Sequence, residues 1–375
     1  MTLPPLVPPT GTLDADALAR YSRQMILSEV GVDGQRRLAA ARVLVIGAGG
    51  LGAPVLLYLA AAGVGTIGVV DSDRVELSNL HRQVIHTDAG IGRPKVDSAA
   101  DAVAALNPTV TIRRHGLRVD PGTIAGLVAD YDLVIDGTDN FPTRYLVNDA
   151  CVAAGKPLVW GSVLGFAAQV AVFWDAAPDG RGVQLRDVFP EPPPAGTVPS
   201  CAEAGVVGAV CAQAGSVMAM EAIKLITGIG RPLLGRVLVI DVLAGRWDEV
   251  PVRRANPGPS AAEPAVTPAA ARGAATPPAE ADGGVRVLTL PEPGSAFLLD
   301  VRGPDEFAAE RIRGSVNIPL PALLEGALDG VPDDGAILVI CRSGGRAEIA
   351  AAGLRARGYA DVRVLEGGIQ ALSAP

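Results

Sequence analysis

The stretch VLVIGAGGLGAP, Val43 to Pro54, decides how the rest of the chain is read. Four apolar residues, Val43 to Ile46, run into Gly47, Gly49 and Gly52, and a new apolar pattern of helical period begins there. A buried parallel strand, a glycine turn and a helix in succession present free backbone N–H groups and the positive end of a helix dipole to a phosphate. Gly47 permits the tight turn, Gly49 lets a phosphate approach the backbone, and Gly52 lets helix and strand pack closely. A second apolar strand, Thr66 to Val70, ends in Asp71, whose carboxylate can accept hydrogen bonds from a ribose. The unit is a mononucleotide-binding βαβ. The glycines alone fit a dinucleotide as well as ATP.

Working outward, 375 residues provide for two or three domains with ample core, and a 4% aromatic content points to an α/β protein packed with small aliphatics. A net charge of −8 argues against nucleic acid as a main partner. No basic, then apolar, leader opens the chain, so a cytoplasmic location is expected. Residues 204–220 carry no charge, but Gly and Ala dominate them and Glu221 and Lys224 follow. A helix buried in the core or at a subunit interface is expected there, and no membrane span. Cys151, Cys201, Cys211 and Cys341 are too scattered for a disulfide framework, and none forms a C-x-x-C pair, so no zinc site is expected.

In chain order, residues 1–13 are proline-rich and read as a mobile tail, followed by a helical segment holding RYSRQM, Arg20 to Met25. After the nucleotide unit come a helix from Lys95 to Leu106 and a strand within 110–119. A buried strand, DLVIDGTDN, then ends in Asp136, Asp139 and Asn140. Ligands gather beyond the carboxyl ends of such strands, so this tip should face the same crevice as the glycines. Two strands within 158–174, a helix from Ala204 to Ile226 and a hairpin within 238–252 complete a first domain, residues 14–253. Residues 254–284 hold no aromatic side chain and read as a Pro/Ala linker. The βα pattern then resumes in a smaller domain, residues 285–375.

Arg23, Arg82 and Lys95 could neutralise phosphate charge, and Asp139 is a candidate ligand for a divalent ion. Singly, each cation reads as an ordinary solvated charge. Their coincidence with the glycine turn, Asp71 and Asp139 favours a site. Cys201 follows a proline-rich loop at a helix start, where a thiol is made more acidic, although a small buried hydrophobe fits equally. Cys151 and Cys211 sit in apolar helical patterns and read as packing residues. In CRSGGR, Cys341 to Arg346, a cysteine stands between a buried strand and a helix. Backbone N–H groups of this loop (Cys341, Arg342, Ser343, Gly344, Gly345, Arg346), with the flanking Arg342 and Arg346, can stabilise a thiolate or persulfide.

With RYSRQ, GAGGLG, VVDSDRVELSNLHRQ, GRPKV, DGTDN and CAEAGV in place, residues 20–252 resemble the MoeB/ThiF family. These adenylyltransferases activate sulfur-carrier proteins and are related to ubiquitin-activating enzymes. The resemblance implies a Rossmann-like α/β domain with a mostly parallel sheet. It implies that Gly50 and the segment Ser78, Asn79, Leu80, His81 and Arg82 line an ATP site and that Asp71 holds the ribose. Lys95 would contact the phosphates, Asp139 would bind Mg2+, and Asn140 would border the nucleotide. Arg23 would act in the partner's site of a homodimer, and Cys201 could form a covalent intermediate with the carrier. The family's two C-x-x-C pairs are absent, which again implies no zinc.

LLDVRGPDEF, GSVNIPL and CRSGGR make residues 286–375 similar to a rhodanese domain, a small α/β fold whose Asp300–Arg302 segment would order the site. Where Gly-His-Ile is common in that family, this chain has Glu310-Arg311-Ile312. The fusion resembles MoeZ-type adenylyltransferase–sulfurtransferases. It implies adenylation, with MgATP, of the Gly-Gly carboxylate of a ubiquitin-like sulfur carrier. Sulfur would then pass from a Cys341 persulfide, loaded by thiosulfate or a cysteine desulfurase, to give a thiocarboxylate. Molybdopterin, thiamine, cysteine and tRNA thiolation pathways all use such carriers. A non-catalytic carrier-binding scaffold and an NAD-dependent oxidoreductase are the alternatives; the second leaves Arg23, Lys95, Asp139 and Cys341 idle.

Overall fold

The computed structural model describes residues 3–193, 206–254, 286–288, 296–324 and 326–373. The chain forms two compact units, one of Met1–Gly11 with Asp33–Gly258 and one of Thr12–Val32 with Pro259–Pro375.

The first unit is built on an eight-stranded sheet. Its strands are β1 (Arg42–Ile46), β2 (Thr66–Val70), β3 (Thr111–His115), β4 (Leu133–Asp136), β5 (Leu158–Leu164), β6 (Ala167–Phe173), β7 (Arg236–Asp241) and β8 (Arg246–Pro251). The order is β3-β2-β1-β4-β5-β6-β7-β8. The first five strands are parallel and the last three antiparallel, so the sheet is mostly parallel, as expected for a Rossmann-like domain. Strand order reverses between β1 and β4, and a crevice opens at that switch point. Val43 to Ile46 are all buried, in keeping with a strand covered by helices on both faces. The uncharged run becomes the helix Gly208–Thr227, long and apolar enough to cross a membrane by length and composition. It packs against the sheet and the helix Gly52–Ala62. A Cβ at Gly215 would lie 2.4 Å from Pro54 Cγ, so its small residues set the close helix approach.

The second unit holds a parallel sheet of order β12-β10-β13-β14, together with a short β9–β11 pair. Here β9 is Arg286–Leu288, β10 Phe297–Asp300, β11 Glu310–Ile312, β12 Val316–Asn317, β13 Ala336–Ile340 and β14 Asp361–Val364.

Two expectations about the amino-terminal segment change. Residues 1–13 were expected to be a mobile tail, yet Leu3 and Val7 are buried and Leu6 N–H donates to the Leu225 carbonyl at 2.9 Å. Apolar residues alternate with prolines there, and an extended Pro-rich strap needs few backbone partners. The helix Ala15–Met25, expected in the first domain, belongs to the second unit. Asp14 caps it by accepting from Ala17 N–H at 2.8 Å. Leu18, Tyr21 and Met25, spaced along one helical face, are buried with Leu299, Val339 and Leu354. Of the expected linker, residues 255–284 lie outside the described residues.

Candidate active site

The cleft of the first unit opens where β1 and β4 end. Gly47 leaves β1 at φ 94°, a conformation that favours glycine. A Cβ at Gly52 would sit 1.8 Å from the Gly47 carbonyl oxygen, so the helix can begin against the strand end only without a side chain there. Ala48 N–H donates to Asp71 Oδ2 at 2.8 Å, and Asp71 Oδ1 accepts from Asp73 N–H at 2.8 Å. The ribose candidate is thereby locked to the glycine turn, and each of its oxygens keeps a second lone pair for a ligand.

This cleft of about 370 Å³ gathers Gly47, Gly49, Gly50, Asp71, Arg82, Lys95, Asp139 and Asn140 on one wall system. Lys95 is 6% exposed and its Nζ lies 3.0 Å from Asp73 Oδ2, so it is no solvated surface charge. Asn140 also caps the helix Phe141–Ala154, its Oδ1 accepting from Thr143 N–H at 3.0 Å. From the SNLHR segment only Arg82 reaches the cleft. Ser78, Asn79, Leu80 and His81 form the turn behind it, where Arg82 Nη1 donates to the Ser78 carbonyl at 3.0 Å and meets His81 Nε2 at 2.8 Å.

Several cleft residues carried no role in the sequence reading. Gln83, Arg118, Arg144 and Cys211 line it. Gln83 follows Arg82 in a quoted motif, and that adjacency was its available signal. Cys211, read as packing, is 4% exposed, and its Sγ lies 2.9 Å from where a Gly50 Cβ would be. Arg144 donates from Nη2 to the Thr138 carbonyl at 3.0 Å and lies over Phe141 and Trp160. Asp136 is fully buried, and desolvation pushes its carboxyl above the usual range against the opposing charge of Arg144. Its Oδ1 accepts from Thr138 N–H at 2.9 Å and Oγ1 at 2.7 Å, fixing the turn that carries Asp139. Cys151 is buried, and desolvation raises its thiol far above its ordinary range, which suits packing. Cys201 lies outside the described residues.

In the second unit Cys341 directly follows β13 and is 1% exposed. Its Sγ accepts from Gly344 N–H at 3.1 Å, with Gly344 at φ 105° and the helix Gly345–Ala356 starting next. Of the backbone cradle the motif implies, the Gly344 N–H is the donor seen on the sulfur. Arg342 and Ser343 are exposed on its rim. Both terminal nitrogens of Arg346 fork onto Glu306, at 2.6 and 2.8 Å, bracing the loop to the helix Pro304–Ala309, while the guanidinium charge stays close enough to Cys341 to interact with it. That fork holds the Glu306 carboxyl down at about 2.

Asp300 and Arg302 pair in the core, Nη2 to Oδ2 at 2.7 Å, and Arg302 also donates to the Glu310 carbonyl at 2.6 Å. Asn317 Nδ2 donates to the Asp300 and Arg302 carbonyls at 2.9 and 3.0 Å. The Asp-Val-Arg segment thus orders the strand ends beside Cys341. Arg23 lines a cavity of about 280 Å³ in this same unit, with Glu306, Leu320 and Arg346.

A glycine-turn cleft lined by an acid and by cations suited to a nucleotide, and a buried cysteine at a strand-to-helix loop, fit an enzyme of the adenylyltransferase and sulfurtransferase class. Family comparison agrees with that assignment. The ThiF family model matches residues 21–261, and a rhodanese-like domain matches residues 286–375. The chain belongs to the ThiF family, with a rhodanese-like domain as its second part.

The chain is 49% identical over 377 residues to the "Probable adenylyltransferase/sulfurtransferase MoeZ" of Mycobacterium tuberculosis, covering 99% of this chain and 96% of that protein. A "Sulfur carrier protein adenylyltransferase" of Thermus thermophilus is 53% identical over 243 residues, covering 64% of this chain and 89% of that one. Among solved structures, the E. coli microcin C7 biosynthetic enzyme MccB with N-formylated MccA superposes with a TM-score of 0.56 at 22% identity. It covers 64% of this chain and 74% of that one and shows the shared fold.

Proposed function

We propose that the first unit adenylates the C-terminal Gly-Gly carboxylate of a ubiquitin-like sulfur carrier and that the second unit supplies the sulfur. The convergence of Gly47, Gly49, Asp71, Lys95, Arg82 and Asp139 on one cleft carries this reading. The carrier carboxylate attacks the α-phosphate of MgATP, pyrophosphate leaves, and an acyl-adenylate forms. Lys95 and Arg82 offset charge on the phosphates while the Gly47–Gly50 turn offers backbone N–H donors. Mg2+ enters with the nucleotide. An exposed carboxylate, Asp139, fits an ion held by few protein oxygens and by substrate phosphates.

In the second unit the Cys341 thiolate takes the outer sulfur of thiosulfate and releases sulfite, or takes sulfur from a cysteine desulfurase. The terminal persulfide sulfur attacks the adenylate carbonyl and AMP leaves. A thiol then cleaves the resulting acyl-disulfide to free the thiocarboxylate. A homodimer in which Arg23 serves the partner's cleft, a part for Cys201 and a cytoplasmic location belong to the same proposal. Molybdopterin, thiamine, cysteine or tRNA thiolation is its pathway class.

The test is intact-mass spectrometry of a Gly-Gly-ended carrier incubated with MgATP, thiosulfate, a thiol and the enzyme, beside Cys341→Ala. The expected result is a carrier mass gain of about one sulfur-for-oxygen exchange with wild type alone. ATP–pyrophosphate exchange should survive Cys341→Ala and show no dependence on NAD. Absence of exchange with every carrier tried overturns the proposal.

A further inference from the structure

We infer that His86 is a positioning residue for the nucleotide-binding turn, acting through the Ala48 peptide without touching the nucleotide. The inference rests on the reading that the Gly47–Gly50 turn holds ATP.

Three of the four residues in that turn are glycine, so they carry no side chain that could fix their own geometry. The Ala48 peptide groups do the fixing. Asp71 takes the Ala48 N–H on one side, and His86 Nε2 lies 3.0 Å from the Ala48 carbonyl on the other. A carbonyl only accepts, so Nε2 carries the proton. His86 is 5% exposed, and its Nδ1 lies 3.0 Å from Ser98 Oγ on the helix Lys95–Leu106. Burial, opposed by the Ala48 carbonyl hydrogen bond and by Asp71 and reinforced by the Lys95 charge, lowers the ring below the usual histidine range, which favours its neutral form. Nδ1 then accepts the Ser98 hydroxyl proton, and both ends of the ring are pinned.

The same helix starts at Lys95, which holds Asp73; Asp73 N–H in turn binds Asp71. A closed circuit results: turn, ribose acid, phosphate-binding lysine, helix, serine, histidine and turn again. His86 is the link between the helix and the carbonyl side of the turn. Leucine at 86 keeps roughly the volume but strands the Ala48 carbonyl and the Ser98 hydroxyl. Glutamine can still extend an amide N–H toward the carbonyl.

The experiment compares wild type, His86→Leu, His86→Gln and Ser98→Ala in the full chain. ATP affinity is measured by titration calorimetry well below the unfolding temperature, and KM and kcat for ATP by pyrophosphate exchange. His86→Leu should weaken ATP binding about tenfold, the scale of one lost hydrogen bond, and raise KM more than it lowers kcat. His86→Gln should recover most of the loss, and Ser98→Ala should raise KM by about threefold. Should His86→Leu fail to fold, the Gln and Ala variants decide alone. Folded His86→Leu with ATP affinity within about twofold of wild type, equal losses in the Leu and Gln variants, or an unchanged KM in Ser98→Ala each overturn the inference. Failure of wild type to bind ATP instead overturns the proposed function beneath it.

Discussion

Arg346 and Glu306 face each other across the persulfide loop as a two-pronged fork, Nη1 to Oε2 at 2.6 Å and Nη2 to Oε1 at 2.8 Å. The pair ties the first turn of the helix behind Cys341 to a helix forty positions earlier in the chain. Because Arg346 hydrogen-bonds hold the Glu306 carboxyl at about 2, the fork's stabilisation is fully present above the unfolded carboxylate value, near 4.5. It is lost as pH falls from there through about 2. The second unit of wild type should therefore unfold at a higher temperature than Glu306→Gln at pH 6. The gap should shrink progressively below pH 4.5, as read by thermal melts across pH. A gap independent of pH would show that the fork does not carry it.

Gly52→Ala places a methyl group 1.8 Å from a backbone oxygen that cannot yield without moving the turn. Overpacking of this kind costs ~1–3 kcal/mol, which, borne by the ATP-binding turn, is roughly five- to 150-fold in ATP affinity. Calorimetric titration with ATP should show that loss, while thiosulfate:cyanide sulfur transfer by the same protein stays at the wild-type rate.

Asp300→Ala leaves Arg302, 3% exposed, with its charge unpaired in the second unit's core. Breaking such a buried pair costs about 3–5 kcal/mol. Sulfur transfer should fall with the folded fraction, and ATP–pyrophosphate exchange should persist.

Leu18→Ala tests the placement of the helix Ala15–Met25. Leu18 is fully buried among rhodanese-unit side chains, so its truncation should destabilise that unit by about 2–5 kcal/mol. Hydrogen exchange should rise in the helix Gly345–Ala356 and leave β1 and β4 protected. Faster exchange in β1 instead would place the helix with the first unit.

The features legible in the sequence were those whose physics is local. Val43 to Ile46 running into three spaced glycines allow few backbone solutions, and the helix Lys95–Leu106 falls where its pattern put it. Cys341 between a strand and a helix is likewise local chemistry. What escaped were pairings across distance. The stripe Leu18, Tyr21, Met25 announces a buried face without naming what buries it. His86 stands in a polar loop, and nothing in its neighbours points to a carbonyl 38 positions earlier. Cys211 has the surroundings of a packing residue, and only the fold turns its sulfur toward Gly50. Arg346 carries the charge a thiolate wants, and nothing local announced that Glu306, forty positions earlier, would share it.

The ownership of the amino-terminal helix changes what a cut in the chain would do. The polypeptide passes from the first unit to the second at Thr12, returns at Asp33, and passes over again near Pro259. Protease cleavage anywhere from 255 to 285 would leave Leu18, Tyr21 and Met25 on one fragment and the core they fill on the other. The fragments should co-elute as one particle and separate only on denaturation, because the sulfur-transfer unit is built from chain on both sides of the cut.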